Sequence, residues 1–137
     1  MSVRNATPYL LFNGHAREAI TLYEAALGAQ IESISRFGDV DQSCPEARRD
    51  LVMHAALRVD GALLMLSDGP FDQPLPPTGI VSIALDLDDV AQAHRIFDAL
   101  AEGGQTLQPL FPAPWGALFG ALNDRFGVNW MFNVATA

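Results

Sequence analysis

The sequence predicts an α+β fold made twice from one β-α-β-β-β unit, and three observations predict it. Tyr9 to Gly28 (YLLFNGHAREAITLYEAALG) reads as a short apolar strand, a polar turn and an amphipathic helix closed by glycine. Ile80 to Gly103 (IVSIALDLDDVAQAHRIFDALAEG) repeats that order, with Tyr23-Glu24-Ala25 answering to Phe97-Asp98-Ala99. Each helical segment is then followed by three strand-like runs. A duplicated fold usually carries its site between the copies, so the duplication says where to look for a cavity.

The first helix presents Ala16, Ala19, Ile20, Tyr23 and Leu27 as one apolar stripe at 3–4 spacing. Asn13 is its expected N-cap and Gly28 its left-handed stop. The second helix opens at Asp88-Asp89, whose carboxylates suit a helix N-terminus. It turns Val90, Ala93, Phe97 and Leu100 to the core and ends at Gly103-Gly104. Strands are expected at Tyr9–Phe12, Gln30–Phe37, Val52–Val59 and Ala62–Ser67 in the first half. The second half repeats them at Ile80–Leu87, Thr106–Phe111, Ala117–Asn123 and Val128–Val134. Asp60-Gly61 is a short-range hairpin signal, and Asp124-Arg125-Phe126-Gly127 is a longer turn. Residues 38–50 and 68–78 lack periodicity. The expected organisation is one domain over 1–137, with a first module at 8–68, a Pro-rich linker at 69–78 and a second module at 79–135.

Composition narrows the function. The chain has 137 residues, half of them hydrophobic, and a net charge of −8 with only 8 Lys plus Arg. Phosphate binding needs a positive surface, so nucleic acid and anionic membrane surfaces are poor partners. No apolar run is long enough to span a bilayer, and the N-terminus has no apolar leader region. Cys44 is the sole cysteine, which excludes an internal disulfide and fits a cytoplasmic setting. A small molecule or another protein remains as partner.

Three stretches carry a family resemblance: PYLLFNGHAREAITLYEAALGA, MHAALRVDGALLMLSD and WGALFGALNDRFGVNWMFNV. They resemble the vicinal oxygen chelate (glyoxalase, bleomycin resistance, dioxygenase) superfamily, and within it the PhnB-like, 3-demethylubiquinone methyltransferase-like branch. The W-G-x3-F-G-x3-D-x-F-G-x2-W spacing of the last stretch is the most specific part. The resemblance implies two βαβββ modules forming a curved mixed sheet around a cavity, and a homodimer. The methyltransferase label finds no glycine-rich loop of the kind a Rossmann-type methyl donor site uses.

Metal-dependent members of the superfamily place one His or carboxylate ligand on each of four strands. Matched by strand position, those places fall on Pro8, Met65, Ser82 and Met131. None is a good ligand for a hard or borderline divalent ion, so neither a metal nor another cofactor is expected. Strand alternation instead turns His54, Ala56 and Arg58 to the cavity, with Ala55, Leu57 and Val59 toward the helix. By the same logic Val81, Ile83 and Leu85 point inward, and Ser82 and Ala84 toward the cavity. Trp130, Phe132 and Val134 join the core while Asn129, Met131 and Asn133 face the cavity.

His54 is the candidate acid or base, and Arg58 could hold an anionic group. Beside that reading stands a plain one: a strand-end histidine and an arginine that is solvated or paired with a carboxylate. Trp115 and Phe119 could wall or lid the pocket, or serve core or dimer packing. The expected ligand-binding set is His54, Arg58, Met65, Ser82, Trp115, Phe119, Met131 and Asn133. Two functions follow: a metal-independent protein that binds a small organic molecule, or an enzyme of lyase, isomerase or dioxygenase type with a non-standard metal site or His54 acid–base chemistry.

Overall fold

In the computed structural model, which describes residues 7–68 and 81–136, each described segment belongs to its own compact unit. The first contains β1 (Tyr9–Leu11), α1 (Ala16–Leu27), β2 (Gln30–Arg36), the single turn α2 (Phe37–Val40), β3 (Val52–Val59) and β4 (Ala62–Ser67). The second contains β5 (Ser82–Leu87), α3 (Val90–Ala101), β6 (Gln105–Pro112), β7 (Ala117–Asn123) and β8 (Asn129–Ala135). Strand order is β1-β4-β3-β2 in one sheet and β5-β8-β7-β6 in the other. In each sheet the first strand runs parallel to the last and the remaining pairs are antiparallel. The sequence duplication is thus a topological one. The expected linker at 69–78, and Ile80 as a strand start, lie outside the described residues.

Helix α1 buries Ala16, Ala19, Ile20, Leu22 and Tyr23. Leu27, expected in the stripe, is only half-buried, and Leu22 takes its place. Gly28 closes the helix at φ 67°, the left-handed region that glycine enters without a Cβ penalty. The helix start differs from expectation. Asn13 has φ 51° and lies outside the cap; His15 occupies the N-cap position without a side-chain cap bond. The orphan N–H groups go instead to Asp68, immediately after β4, whose Oδ1 accepts from Gly14 and Ala16 at 2.8 Å each. Its Oδ2 accepts from the Val52 N–H at 2.8 Å. One buried carboxylate therefore ties the start of α1 to the start of β3.

Helix α3 is capped locally: the Asp89 side chain accepts from the Gln92 N–H at 3.0 Å. Its buried stripe is Ala93, Ile96, Phe97 and Leu100. Val90, expected in the core, is exposed because it precedes that stripe by a full turn. Val81, also expected inward, is 70% exposed, since it lies one residue before β5 and strand alternation does not reach it. On the helix side of the second sheet Leu122, Trp130, Phe132 and Val134 are fully buried, each large apolar side chain contributing about 1.5–3 kcal/mol. The Phe97 and Phe132 rings meet at 5.1 Å.

Two register shifts shape the first sheet. Consecutive β2 residues Ser35 and Arg36 pair with His54 and Val52, leaving Met53 as an extra residue in β3. Ile31 and Ser33 pair with Leu57 and Ala56, leaving Glu32 extra in β2. Such bulges re-aim side chains relative to simple alternation.

Candidate functional site

Residues directly opposite in a ladder share a face. Register pairs Tyr9 with Met65, Leu11 with Ser67, Met65 with Ala56 and His54 with Ser35. These side chains form the open face of the first sheet, while Ala55, Leu57, Leu64 and Leu66 are buried on the other. His54 and Met65, expected together, do meet: His54 Nε2 lies 3.4 Å from Met65 Sδ. The imidazole also stands edge-on to the Tyr9 ring at 5.7 Å.

Beside them opens a cavity of about 370 Å³ lined by Tyr9, Leu11, Phe37, Met53 and Ser67. That volume lies within the range of about 300–1,000 Å³ typical of small-molecule sites. Met53 belongs to the lining because the β3 bulge frees it from strict alternation. Phe37 is held from two sides. The Arg48 guanidinium lies over its ring at 4.8 Å, and the turn that carries it is fastened by Arg36 Nη2 to Asp39 Oδ1 at 3.2 Å. The hydrogen bond from the Arg36 side chain holds the Asp39 carboxyl below the usual carboxylate range. Neither Met53 nor Phe37 was legible as a site residue, since one depends on a bulge and the other on a turn without periodicity.

Arg58 shares the β3 strand but is occupied. Its Nε and Nη2 donate to Glu32 Oε2 at 2.9 and 2.7 Å, a pairing created by the β2 bulge. The pair is solvent-exposed and worth under about 1 kcal/mol, yet any anionic ligand must compete with Glu32 for the guanidinium.

The strand positions implied for metal ligands can be placed more firmly. Pro8 precedes β1, and its carbonyl accepts from the Met65 N–H at 3.0 Å. The open-face neighbour of Met65 is therefore Tyr9, not Pro8. Ser82 stands opposite Asn129 and Met131 opposite Ala84, so those two are offset along their strands. Neither the thioether and phenol of the first unit nor the thioether and hydroxyl of the second suits a hard or borderline divalent ion. Among the described residues no group of three or more His, Cys, Asp or Glu is arranged to hold a metal.

The second sheet's open face divides into two ends. At one, Ser82 Oγ bonds Asn129 Oδ1, and Asn129 Nδ2 donates to Asn123 Oδ1 at 2.9 Å. At the other, Trp115 Nε1 donates to Asn133 Oδ1 at 3.1 Å, with Phe119 edge-on to the indole at 5.6 Å and Phe111 edge-on to Phe119 at 6.5 Å. Between the ends lie Ala84, Met131 and Ala121, one register row. Ser82, Trp115, Phe119, Met131 and Asn133 thus share one face, and Trp115, Phe119 and Asn133 touch.

Comparison with known proteins agrees with this architecture. The family model described as 3-demethylubiquinone-9 3-methyltransferase matches residues 4–132. The YjdN protein of Escherichia coli K12 is 32% identical over 138 residues, covering 93% of each chain. Among solved structures, protein PA1353 from Pseudomonas aeruginosa is 43% identical with a TM-score of 0.85, covering 97% of this chain and 98% of that one. The PhnB protein from Bacillus cereus is 30% identical with a TM-score of 0.83, covering 96% of this chain and all of that one. A glyoxalase/bleomycin resistance protein/dioxygenase superfamily member from Sphaerobacter thermophilus shares the fold at 17% identity and a TM-score of 0.64, covering 98% of this chain and 99% of that one. With its duplicated β-α-β-β-β sheets and a family match over nearly its whole length, the chain belongs to the 3-demethylubiquinone-9 3-methyltransferase-like, PhnB-like family.

Proposed function

We propose that the protein is a metal-independent small-molecule-binding protein that takes up its ligand on the open faces of its sheets. One observation carries this reading: the cavity of about 370 Å³ whose lining is apolar apart from the Tyr9 and Ser67 hydroxyls. An apolar hollow with few polar groups is the usual make-up of a small-molecule site. The chemistry of Tyr9, Met65, Ser82 and Met131 supports the absence of a metal role. His54 supports binding over catalysis, because its Nε2 meets the Met65 thioether at 3.4 Å, a weak acceptor that does little to orient a general base.

Assembly as a C2 homodimer belongs to the same reading, supported by exposed Val81 and Leu107. Light scattering at micromolar concentration checks it, a monomer mass counting against it. Binding itself is tested by a thermal-shift screen of small organic compounds. Hits should raise the melting temperature, and Tyr9→Ala should weaken them by about tenfold, as for loss of one well-packed aromatic contact. A broad library without a single hit would defeat the reading.

A further inference from the structure

We propose that the open face of the second unit binds a planar aromatic cation, stacked on Trp115 with its charge toward Asp86. The inference rests on the small-molecule reading and names the class of ligand. Trp115 is 62% exposed, yet it is held at two points: by its bond to Asn133 Oδ1 and by the edge of Phe119. A large ring fixed in place and open to solvent is a stacking platform that loses little entropy when covered.

Charge then selects the partner. Asp86 stands directly opposite Asn133 in the β5–β8 register, on the same face, and is exposed. Opposite residues in a sheet are about 5 Å apart at Cβ, so the carboxylate lies beside the residue that anchors the indole. No ion pair to Asp86 is present among the described residues. The unit's described Arg and His side chains are His94 and Arg95, on α3, and Arg125, in the β7–β8 turn, none of them on this face. An indole face attracts cations through its quadrupole, and the nearby carboxylate adds to that attraction. In the first unit Arg58, on the open face, is committed to Glu32. Among the described residues an anionic aromatic has no comparable partner on the second face.

Two three-ring probes of opposite charge test this: proflavine and anthracene-9-carboxylate, each titrated against the whole protein by tryptophan fluorescence. Proflavine should bind and quench the Trp115 signal, while the anion should bind at least about tenfold more weakly. Trp115→Ala should weaken proflavine by about tenfold, and Asp86→Asn by about fivefold with a flatter salt dependence. Buried Trp130 remains as a reporter of folding in Trp115→Ala. Should that variant fail to fold, Asp86→Asn and the salt series decide alone.

Equal binding of both probes, or proflavine binding indifferent to Asp86→Asn, would overturn the proposal. So would a Trp115→Ala variant that turns a dimer into a monomer when wild type ignores proflavine, since a second copy then covers the platform. If proflavine fails while library hits sensitive to Tyr9→Ala persist, this inference falls and the binding reading stands. If both are silent, both fall.

Discussion

The two repeats share a topology but fasten it differently. In the first, the residue after the last strand is Asp68, buried and accepting three backbone N–H groups from the α1 start and from β3. In the second, the residue after the last strand is Thr136, exposed and donating to the Gly116 carbonyl at 3.1 Å. There α3 is capped by its own Asp89, and a second buried carboxylate, Asp124, serves the β7–β8 turn. Asp124 accepts from the Phe126 and Val128 N–H groups and from Trp130 Nε1. The first unit is thus held by one long-range knot next to its cavity, the second by several local ones. A duplicated fold can keep its strand order while moving its structural carboxylates, which leaves the two open faces free to diverge. One became an apolar hollow and the other an aromatic platform.

Substitutions probe this difference in wiring. The largest effect is expected at Asp68. Asp68→Ala leaves three N–H groups without their acceptor, each worth about 1–3 kcal/mol when buried, so urea unfolding should show a loss of about 3 kcal/mol or more. Asp68→Ala losing under about 1 kcal/mol would show that the knot is not structural. Next comes Gly104, where an added Cβ would lie 2.2 Å from the Asn123 carbonyl oxygen and 2.8 Å from the Asp124 carbonyl carbon. Backbone cannot yield as a side-chain tip can, so Gly104→Ala should cost about 1–3 kcal/mol. At Gly61, in the β3–β4 hairpin of the first repeat, a Cβ meets nothing within 4 Å. Gly61→Ala should therefore change the melting temperature little, and a loss equal to that of Gly104→Ala would erase the contrast. Between these lies Asp89→Ala, a local cap worth about 1 kcal/mol by the same denaturation measurement.

The parts of the fold that sequence made legible are those encoded locally. Asp60-Gly61 marks its hairpin, Gly28 its helix stop and Asp89 its cap, because each acts on backbone within a few residues. Val52–Val59, Ala62–Ser67 and Ala117–Asn123 are strands with the expected bounds. Asp68 was invisible as a cap because its partners Gly14 and Ala16 lie more than 50 positions away. The Asn13 expectation failed for the same reason: nothing nearby announces a distant carboxylate. On the open face, His54 and Met65 meet because the β3–β4 ladder sets them on one side of the sheet. Pro8, reached by matching strand positions, lies one residue before β1, so the residue opposite Met65 is Tyr9. Glu32 and Met53 sit at bulges, which have no sequence signature, so both the Arg58 pairing and the cavity lining emerged only from the register.

The most direct test of the account is the melting temperature of the purified protein before and after chelation, with metal content measured in parallel. A ligand that binds only the folded state stabilises it by mass action, so removing a resident metal must lower the midpoint. With Tyr9, Met65, Ser82 and Met131 at the strand positions in question, the account predicts no stoichiometric divalent ion and an unchanged midpoint. A drop on chelation that Zn²⁺, Ni²⁺ or Fe²⁺ restores would contradict it.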